Sequence, residues 1–287
     1  MSITKKGMAL FTLAGGLVIF GMKLAAYFLS GSVALLSDAM ESVVNIIASG
    51  IMLYAVYLAD SPADRSHNYG HQKVENISSL IEGFLIIVAA VLITEKAIVR
   101  LLRPVDLFNV NLALVVSLAA TALNGLLSWM LIRTARRFGS IALEGDSKHL
   151  LSDVLSSVAV VAGLMVAKLT GWAFLDSALA IGVALLLVQM GIDLIKKSST
   201  ELMDQSCPEE EARIIELLKK HDGLYVDFHD IKTRRSGNRV FAELHLTVKG
   251  DKTVEEAHNL TDHLEEDLQN EMPEVSITIH VETPPKK

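Results

Sequence analysis

The chain has 287 residues, of which 51% are hydrophobic, with a formal net charge of −7 and a mean hydropathy of +0.40. That apolar content excludes an ordinary soluble enzyme of this size, and the acidic balance argues against nucleic acid as a partner. The lone cysteine, Cys207, excludes an internal disulfide and a thiolate cage. It fits a reducing compartment and reads as a thiol without a role near the membrane surface.

From about residue 8 to 199 the chain is a succession of long apolar runs, and from about 205 it is charged with regular patterning. The shift predicts a transmembrane transport domain over 1–204 and a soluble domain over 205–287. A helix crossing the ~30 Å hydrocarbon core needs about 20 mostly apolar residues. Segments 8–29, 32–59, 77–99, 110–133, 148–169 and 173–195 meet that length. The first is too long for a signal-peptide core and is expected to be a span. An even number of spans puts both termini on one side. Lys5, Lys6, Arg65, Lys73, Arg133, Arg136, Arg137, Lys196 and Lys197 fall on the side of the termini. The positive-inside rule therefore places that side in the cytoplasm, as expected of an inner-membrane protein with both termini inside; Arg100 and Arg103 run against it.

Two spans carry residues that lipid disfavours. Asp38, Glu41 and Asn45 lie in the second, while His149 and Asp153 open the fifth. An acid at the bilayer centre costs about 2.5–3.5 kcal/mol, so Asp38 and Glu41 together would cost roughly 5–7 kcal/mol without compensation. Such residues face a bundle interior or aqueous cavity and mark an ion path. Glu41 and Asn45 are an i,i+4 pair, as are His149 and Asp153, so each pair shares one helix face. Two such faces meeting supply four N and O donors, a set that suits a tetrahedral divalent cation; Asp38 is a further possible ligand. A hydrogen-bonded polar cluster is the competing structural reading.

The loop after the second span holds Asp64, His67 and His71, spaced three and four apart among turn residues, so they can converge on one ion; solvated histidines are the alternative. The soluble part reads as helix 208–221, strand 225–234, a turn at Ser236-Gly237-Asn238, strand 240–248, helix 253–271 and strand 275–281. Val240, Ala242, Leu244, Leu246 and Val248 alternate onto one face. Val254, Ala257, Leu260, Leu264 and Leu268 form the helical stripe, predicting a small α+β sandwich. At roughly 80 residues it buries a modest core and gains from a partner surface. His229, His245, His258, His280 and Glu282 form a third cluster of candidate metal ligands, weighed against solvated histidines.

Three stretches carry a family resemblance: Gly31-Ser32-Val33-Ala34-Leu35-Leu36-Ser37-Asp38-Ala39; Pro62-Ala63-Asp64 followed by His67, Tyr69-Gly70-His71, Lys73 and Glu75; and His149 with Asp153. Together they resemble the cation diffusion facilitator transporters, closest to the bacterial zinc and iron efflux branch, over nearly the whole chain. The resemblance implies a six-helix transmembrane bundle with a C-terminal cytoplasmic αββαβ domain of ferredoxin-like, metallochaperone-like type. It implies a homodimer in the lipid bilayer that exchanges a divalent metal for protons and has no enzymatic activity. By position it assigns Glu41, Asn45, His149 and Asp153 to transport, and Asp64, His67 and His71 to a loop site. It assigns His229, His245, His258, His280 and Glu282 to a cytoplasmic site, and Lys73 with Asp204 to a charge pair at the dimer interface.

Where zinc transporters of that branch carry two aspartates, or a histidine and an aspartate, this chain has Glu41 and Asn45. Zn²⁺ leads as cargo, with Fe²⁺ and Mn²⁺ open, because geometry and availability rather than raw affinity set selectivity. Protons serve as counter-ion, since metal and protons compete for the same groups. Rival readings are a carrier of another cation (monovalent, or Co²⁺, Ni²⁺ or Cd²⁺), a metal receptor that does not transport, and an intramembrane metallohydrolase. The last lacks a His-Glu-x-x-His motif and a base beyond the four ligands.

Overall fold

The computed structural model describes residues 4–30, 33–102, 111–170 and 174–284. Within these, side chains are not described at 26–27, 29–30, 33–38, 40–41, 100–101, 111–114, 117, 160–170 and 174–177. The chain divides into two compact units, Met1–Ser199 and Thr200–Lys287.

The first unit is built from long helices: α1 (Lys5–Ser30), α2 (Val33–Ala59), α3 (Val74–Leu102), α4 (Asn111–Phe138), α5 (Ile141–Thr170) and α6 (Phe174–Leu202). Among the described residues, four of them carry windows long and apolar enough to cross a membrane: Lys5–Ala25, Ser42–Ala59, Val74–Val99 and Ala178–Leu202. Cations at Arg133, Arg136 and Arg137 lower the hydropathy of α4, and Glu144, Asp146, Lys148 and Asp153 do the same in α5. Every helix but α2 extends past the segment that hydropathy delimits, most of all α5, which starts at Ile141 rather than 148. Its extra turns are polar, so an apolar window misses them.

The outer surface explains the composition. Phe11, Val18, Ile47, Phe84, Val91 and Leu185 are all half exposed or more, an abundance of outward apolar side chains that a water-soluble protein avoids. With lipid on the outside, burying apolar surface does not drive helix association, so small residues and polar contacts take that role. A Cβ on Gly191 would come within 2.9 Å of the Gly83 carbonyl oxygen, and one on Gly145 within 3.2 Å of the Ser79 Cα. These glycines bring α6 and α5 against α3 at backbone distance.

The α4–α5 corner shows why the chain turns there. Gly139 takes φ 61° and the Ser140 N–H donates to the Ala135 carbonyl at 3.1 Å, closing α4. Ser140 Oγ then accepts from the Leu143 N–H at 3.4 Å, opening α5, and donates to Glu75. Glu75, 4% exposed, also receives Lys5 Nζ, so one carboxylate ties the starts of α1, α3 and α5.

The second unit runs α7 (Pro208–Lys220), β1 (Asp227–Ser236), β2 (Arg239–Thr247), α8 (Val254–Glu271) and β3 (Val275–Glu282). The sheet order is β1-β2-β3; β1 pairs antiparallel with β2, and β3 returns parallel to β2 after the α8 crossover. Gly237 alone of the two hairpin residues has positive φ, as a type II′ turn requires. Val240, Ala242, Leu244, Leu246 and Val248 are at most 3% exposed and pack on Leu217, Leu218, Leu260, Leu264 and Leu268.

Two sequence expectations need correction here. Val254 is 88% exposed, because the first residue of α8 lies beyond the edge of the sheet core. Tyr225 precedes the strand and donates its hydroxyl to the Leu218 carbonyl at 2.7 Å. Cys207 is 6% exposed, sits at the N-cap of α7 and belongs to the core, where burial pushes its pKa up.

Removing a buried ionic partner costs about 3–5 kcal/mol, whereas an exposed pair is worth ~1 kcal/mol or less. Glu75→Ala is therefore expected to lower stability in detergent by about 3–5 kcal/mol. Asp60→Ala, whose side chain is 42% exposed and faces Lys6 at 3.1 Å, should cost about 1 kcal/mol or less. Thermal unfolding of the two variants compares them directly, and equal shifts would contradict the assignment.

Candidate metal centre

Inside the helical unit, α2 and α5 present polar side chains to each other. Asn45 (7% exposed), His149 (3%) and Asp153 (9%) meet in the interior. The Asn45 amide nitrogen donates to Asp153 Oδ2, and its carbonyl oxygen accepts from His149 Nε2 at 2.9 Å. Asn45 is thus a neutral bridge between a histidine and a carboxylate one helical turn apart. The same positions offer an amide oxygen, an imidazole nitrogen and a carboxylate oxygen to a cation, once His149 Nε2 loses its proton and Asn45 gives up its bonds to His149 and Asp153. The side chains of Glu41 and Asp38 lie outside the described residues.

Two acids that the sequence reading passed over extend this seam. Glu82 of α3, 1% exposed, points Oε2 at His149 Nδ1 from 3.8 Å. Asp146 of α5 is fully buried and accepts from Ser49 Oγ of α2 at 2.9 Å. Glu82 Oε2 and Asp146 Oδ2 have no hydrogen-bond partner among the described residues. An acid within an apolar run was the available signal for Glu82. Asp146 falls two residues before the apolar window begins at 148, so hydropathy placed it outside the span.

The loop between α2 and α3 gathers Asp64, His67 and His71, with one donor atom from each lying within 4.8 Å of the others. Asp64 Oδ1 accepts the backbone N–H of Ser66 (2.8 Å), the Ser66 hydroxyl (2.8 Å) and the backbone N–H of His67 (2.7 Å). These bonds, the Ser66 hydroxyl foremost, lower the Asp64 pKa from 3.8 to about 2. Its second oxygen faces His71 Nε2 at 3.4 Å, and the two imidazoles stand 4.4 Å apart. Gly70, at φ 86°, closes the turn by donating its N–H to the His67 carbonyl at 2.9 Å, a conformation that favours glycine.

On the sheet face away from the core, strand register builds a third cluster. His229 pairs with His245, and His245 with His280; Glu282 pairs with Thr247 two residues along. His229 Nε2 lies 3.3 Å from Glu282 Oε1 and His245 Nδ1 lies 3.6 Å from Oε2; one donor from each of the three fits within 4.8 Å. The His280 ring is 4.7 Å from that of His245. His258 stands apart on α8, exposed and paired with Asp262 at 3.3 Å. Asp230 was missed: it occupies the irregularity in β1 at φ 52° and reaches His245 Nε2 at 3.8 Å. An aspartate tolerates that backbone region better than most residues, and no sequence periodicity signals it.

Lys73 belongs to the helical unit and Asp204 to the second unit. Asp204 has φ 58° at the C-terminus of α6, where the Gln205 N–H closes on the Thr200 carbonyl at 3.1 Å, and it faces Arg234 at 3.7 Å.

Comparison with known proteins shows the family. Residues 9–203 match the cation efflux transmembrane domain and residues 207–284 the cytoplasmic domain of cation efflux proteins. An uncharacterized transporter of Synechocystis sp., sll1263, is 38% identical over 275 residues, covering 96% of this chain and 89% of the relative. The cation-efflux pump FieF of Shewanella oneidensis is 33% identical over 251 residues, covering 88% and 84%. Among solved structures, the Zn form of CzrB is 45% identical with a TM-score of 0.28, covering 29% of this chain and 97% of that one. The metal-bound C-terminal domain of the CzcD transporter from Thermotoga maritima is 25% identical with a TM-score of 0.26, covering 27% and 91%. With both of its domains matched and close to its full length aligned to a cation-efflux pump, the chain belongs to the cation efflux, or cation diffusion facilitator, family of membrane transporters, which are not enzymes.

Proposed function

We propose that the protein is an inner-membrane antiporter that exports a divalent transition metal, Zn²⁺ first and Fe²⁺ or Mn²⁺ as alternatives, in exchange for protons. All six long helices span the bilayer in this reading, and both termini are cytoplasmic. The observation that carries it is the meeting of Asn45, His149 and Asp153 inside the bundle, each less than a tenth exposed. Buried ionisable groups in a membrane helix are costly and persist where an ion needs them. With Glu41 as the fourth ligand, the site holds two carboxylates, one imidazole and one amide oxygen, so its two negative charges neutralise a divalent cation. A monovalent cation would leave one charge uncompensated.

The cytoplasmic half of α5 lies before His149 in this topology, so a metal arriving from inside passes Glu82 and Asp146 first. Asp146 precedes His149 by three residues, roughly 4.5 Å along the axis. These two carboxylates replace part of the ion's hydration before it reaches Asn45. Metal ligation requires the histidine unprotonated and the carboxylates charged, so protons compete with the cargo. Histidine is the side chain that exchanges its proton across the physiological range, which makes His149 the coupling residue. The bundle then opens outward, protons release the metal, and the return step carries them inward.

The sheet cluster of His229, His245, His280 and Glu282, with His258 on α8, acts as a metal sensor in a homodimer. Metal there draws two soluble domains together and biases transport. The loop cluster at Asp64, His67 and His71 is a second peripheral site.

Three outcomes test this reading. In proteoliposomes with an imposed proton gradient, Asp153→Ala should reduce Zn²⁺ flux at least about tenfold, in line with the loss from disturbing a metal site; undiminished flux would exclude the site. Glu82→Gln and Asp146→Asn should raise the half-saturating metal concentration several-fold while changing the maximal rate less, and an unchanged half-saturation would remove them from the entry path. For the loop, the Asp64 carboxylate has its pKa lowered in the fold, so the stabilisation it gives is present above the ordinary carboxylate range and is lost as pH falls through about 2. The Ser66 and His67 amide resonances should therefore keep their hydrogen-bonded shifts at pH 3.5; a midpoint near 4 would mean that the turn does not form.

A further inference from the structure

The second unit holds another set of nitrogen and oxygen donors, away from the sheet cluster and sharing no residue with it. His221 caps the C-terminus of α7, and His263 and Asp267 stand one turn apart on α8. His221 Nε2 lies 2.9 Å from Asp267 Oδ2, and His263 Nε2 lies 3.7 Å from the same oxygen. The two imidazoles meet edge to face with centroids 5.2 Å apart, and one donor from each residue lies within 4.8 Å of the others.

We propose that His221, His263 and Asp267 form a binding site for a divalent transition metal that clamps α7 to α8. Spacing is the first argument. Ligands about 2.0–2.1 Å from a tetrahedral ion lie roughly 3.3 Å from one another, and the separations of 2.9 and 3.7 Å to Asp267 straddle that value. Orientation is the second. His221 Nδ1 lies 3.1 Å from the Leu217 carbonyl oxygen, which can only accept, so Nδ1 carries the hydrogen and Nε2 is directed at the cluster. Metal-ligating histidines are held in this way, with the second ring nitrogen donating to a carbonyl. The third argument is that both supports are secured independently of any ion. Lys220 reaches Glu271 at 3.1 Å, Arg213 donates to the Glu271 carbonyl at 3.2 Å, and the Thr253–Glu256 capping box fixes the start of α8.

Two imidazoles and one carboxylate leave a fourth tetrahedral position for water, a set that suits Zn²⁺, Co²⁺ or Ni²⁺ better than Mg²⁺ or Ca²⁺. The His221 side chain is 17% exposed and that of His263 53%, so the ion enters from the His263 side. With both helices bridged, α8 is held at a point five residues from His258, on a different side of the helix. A metal here restrains the helix that carries His258 without occupying the sheet cluster.

The test uses the full chain in detergent and Co²⁺ as the probe. A background variant carrying Asp64→Ala, Asp153→Ala, His229→Ala and His245→Ala removes donors from each of the other three clusters. It is expected to retain one Co²⁺ per chain, with tetrahedral d–d absorption. Adding His221→Ala should abolish that equivalent. Adding His263→Gln should abolish or weaken it at least tenfold, and because His263 is half exposed this variant keeps the fold, as unchanged circular dichroism will show. No cobalt bound in the background, or one equivalent surviving both additions, overturns the proposal. Transport flux by the otherwise unaltered protein is measured separately, so failure of the proposed antiport leaves this result standing, and the reverse also holds.

Discussion

The arrangement of the helical unit follows from one constraint: ionisable and amide groups in an apolar bundle must satisfy one another or hold an ion. Asp153 is deep among helices whose outer faces are apolar, and what keeps it there is Asn45, which donates to Asp153 and accepts from His149. A neutral residue at this point has two consequences. It links a histidine to a carboxylate without adding charge, so the metal-free arrangement is satisfied. It also supplies a single oxygen that can turn to a cation. An aspartate there would attract the ion more strongly and would stand against Asp153 when the ion is gone. In the proposed transport site, Asn45 would therefore exchange binding strength for a lower cost of the empty state.

That constraint reaches the packing. Asn45, Glu82 and His149 can approach only if α2, α3 and α5 pass at close range, and Gly145 provides this between α5 and α3, where a Cβ would press on the Ser79 backbone. Ser49 meets Asp146, and Ser128 donates to the Ser147 carbonyl at 2.8 Å, each a small polar residue satisfying a buried group at an interface that lipid does not drive together. At the end of the bundle, Glu75 performs the corresponding service for three helix starts. Binding chemistry and helix association draw on the same few polar side chains, which is why so many of them lie in what hydropathy reads as apolar segments.

Much of this was legible in the sequence because periodicity is local. The i,i+4 spacing of His149 and Asp153 placed both on one face, and the alternation from Val240 to Val248 identified the sheet core residue by residue. Strand alternation also put His245, His280 and Glu282 on the opposite face. What escaped depends on particular tertiary positions. Asp230 enters the His245 environment through a local irregularity in β1, which breaks the very period used to read the strand. Asp146 is buried by a helix that starts earlier than its apolar stretch. Cys207 lies between two segments, and the turn into α7 carries it into the core. The His221, His263 and Asp267 cluster spans two helices separated in sequence by the whole β-hairpin, so no spacing rule unites it.

The soluble unit adds a further step, because its candidate ligands come from two different kinds of support. His229, His245, His280 and Glu282 are fixed by ladder register, in which a one-residue slip would send every one of them into the core. That face is rigid in the sense that matters for a ligand set: it cannot be altered without undoing the hairpin and the parallel pairing of β2 with β3. His258 has no such anchor, since it is exposed on α8 and pairs only along its own helix with Asp262. A metal on the sheet therefore meets a preformed surface, whereas any contribution from His258 depends on where α8, or a second copy of the domain, comes to rest. In the proposed sensing role, a fixed ligand surface with one loosely placed additional histidine would let affinity rise when a separate movement supplies the last donor.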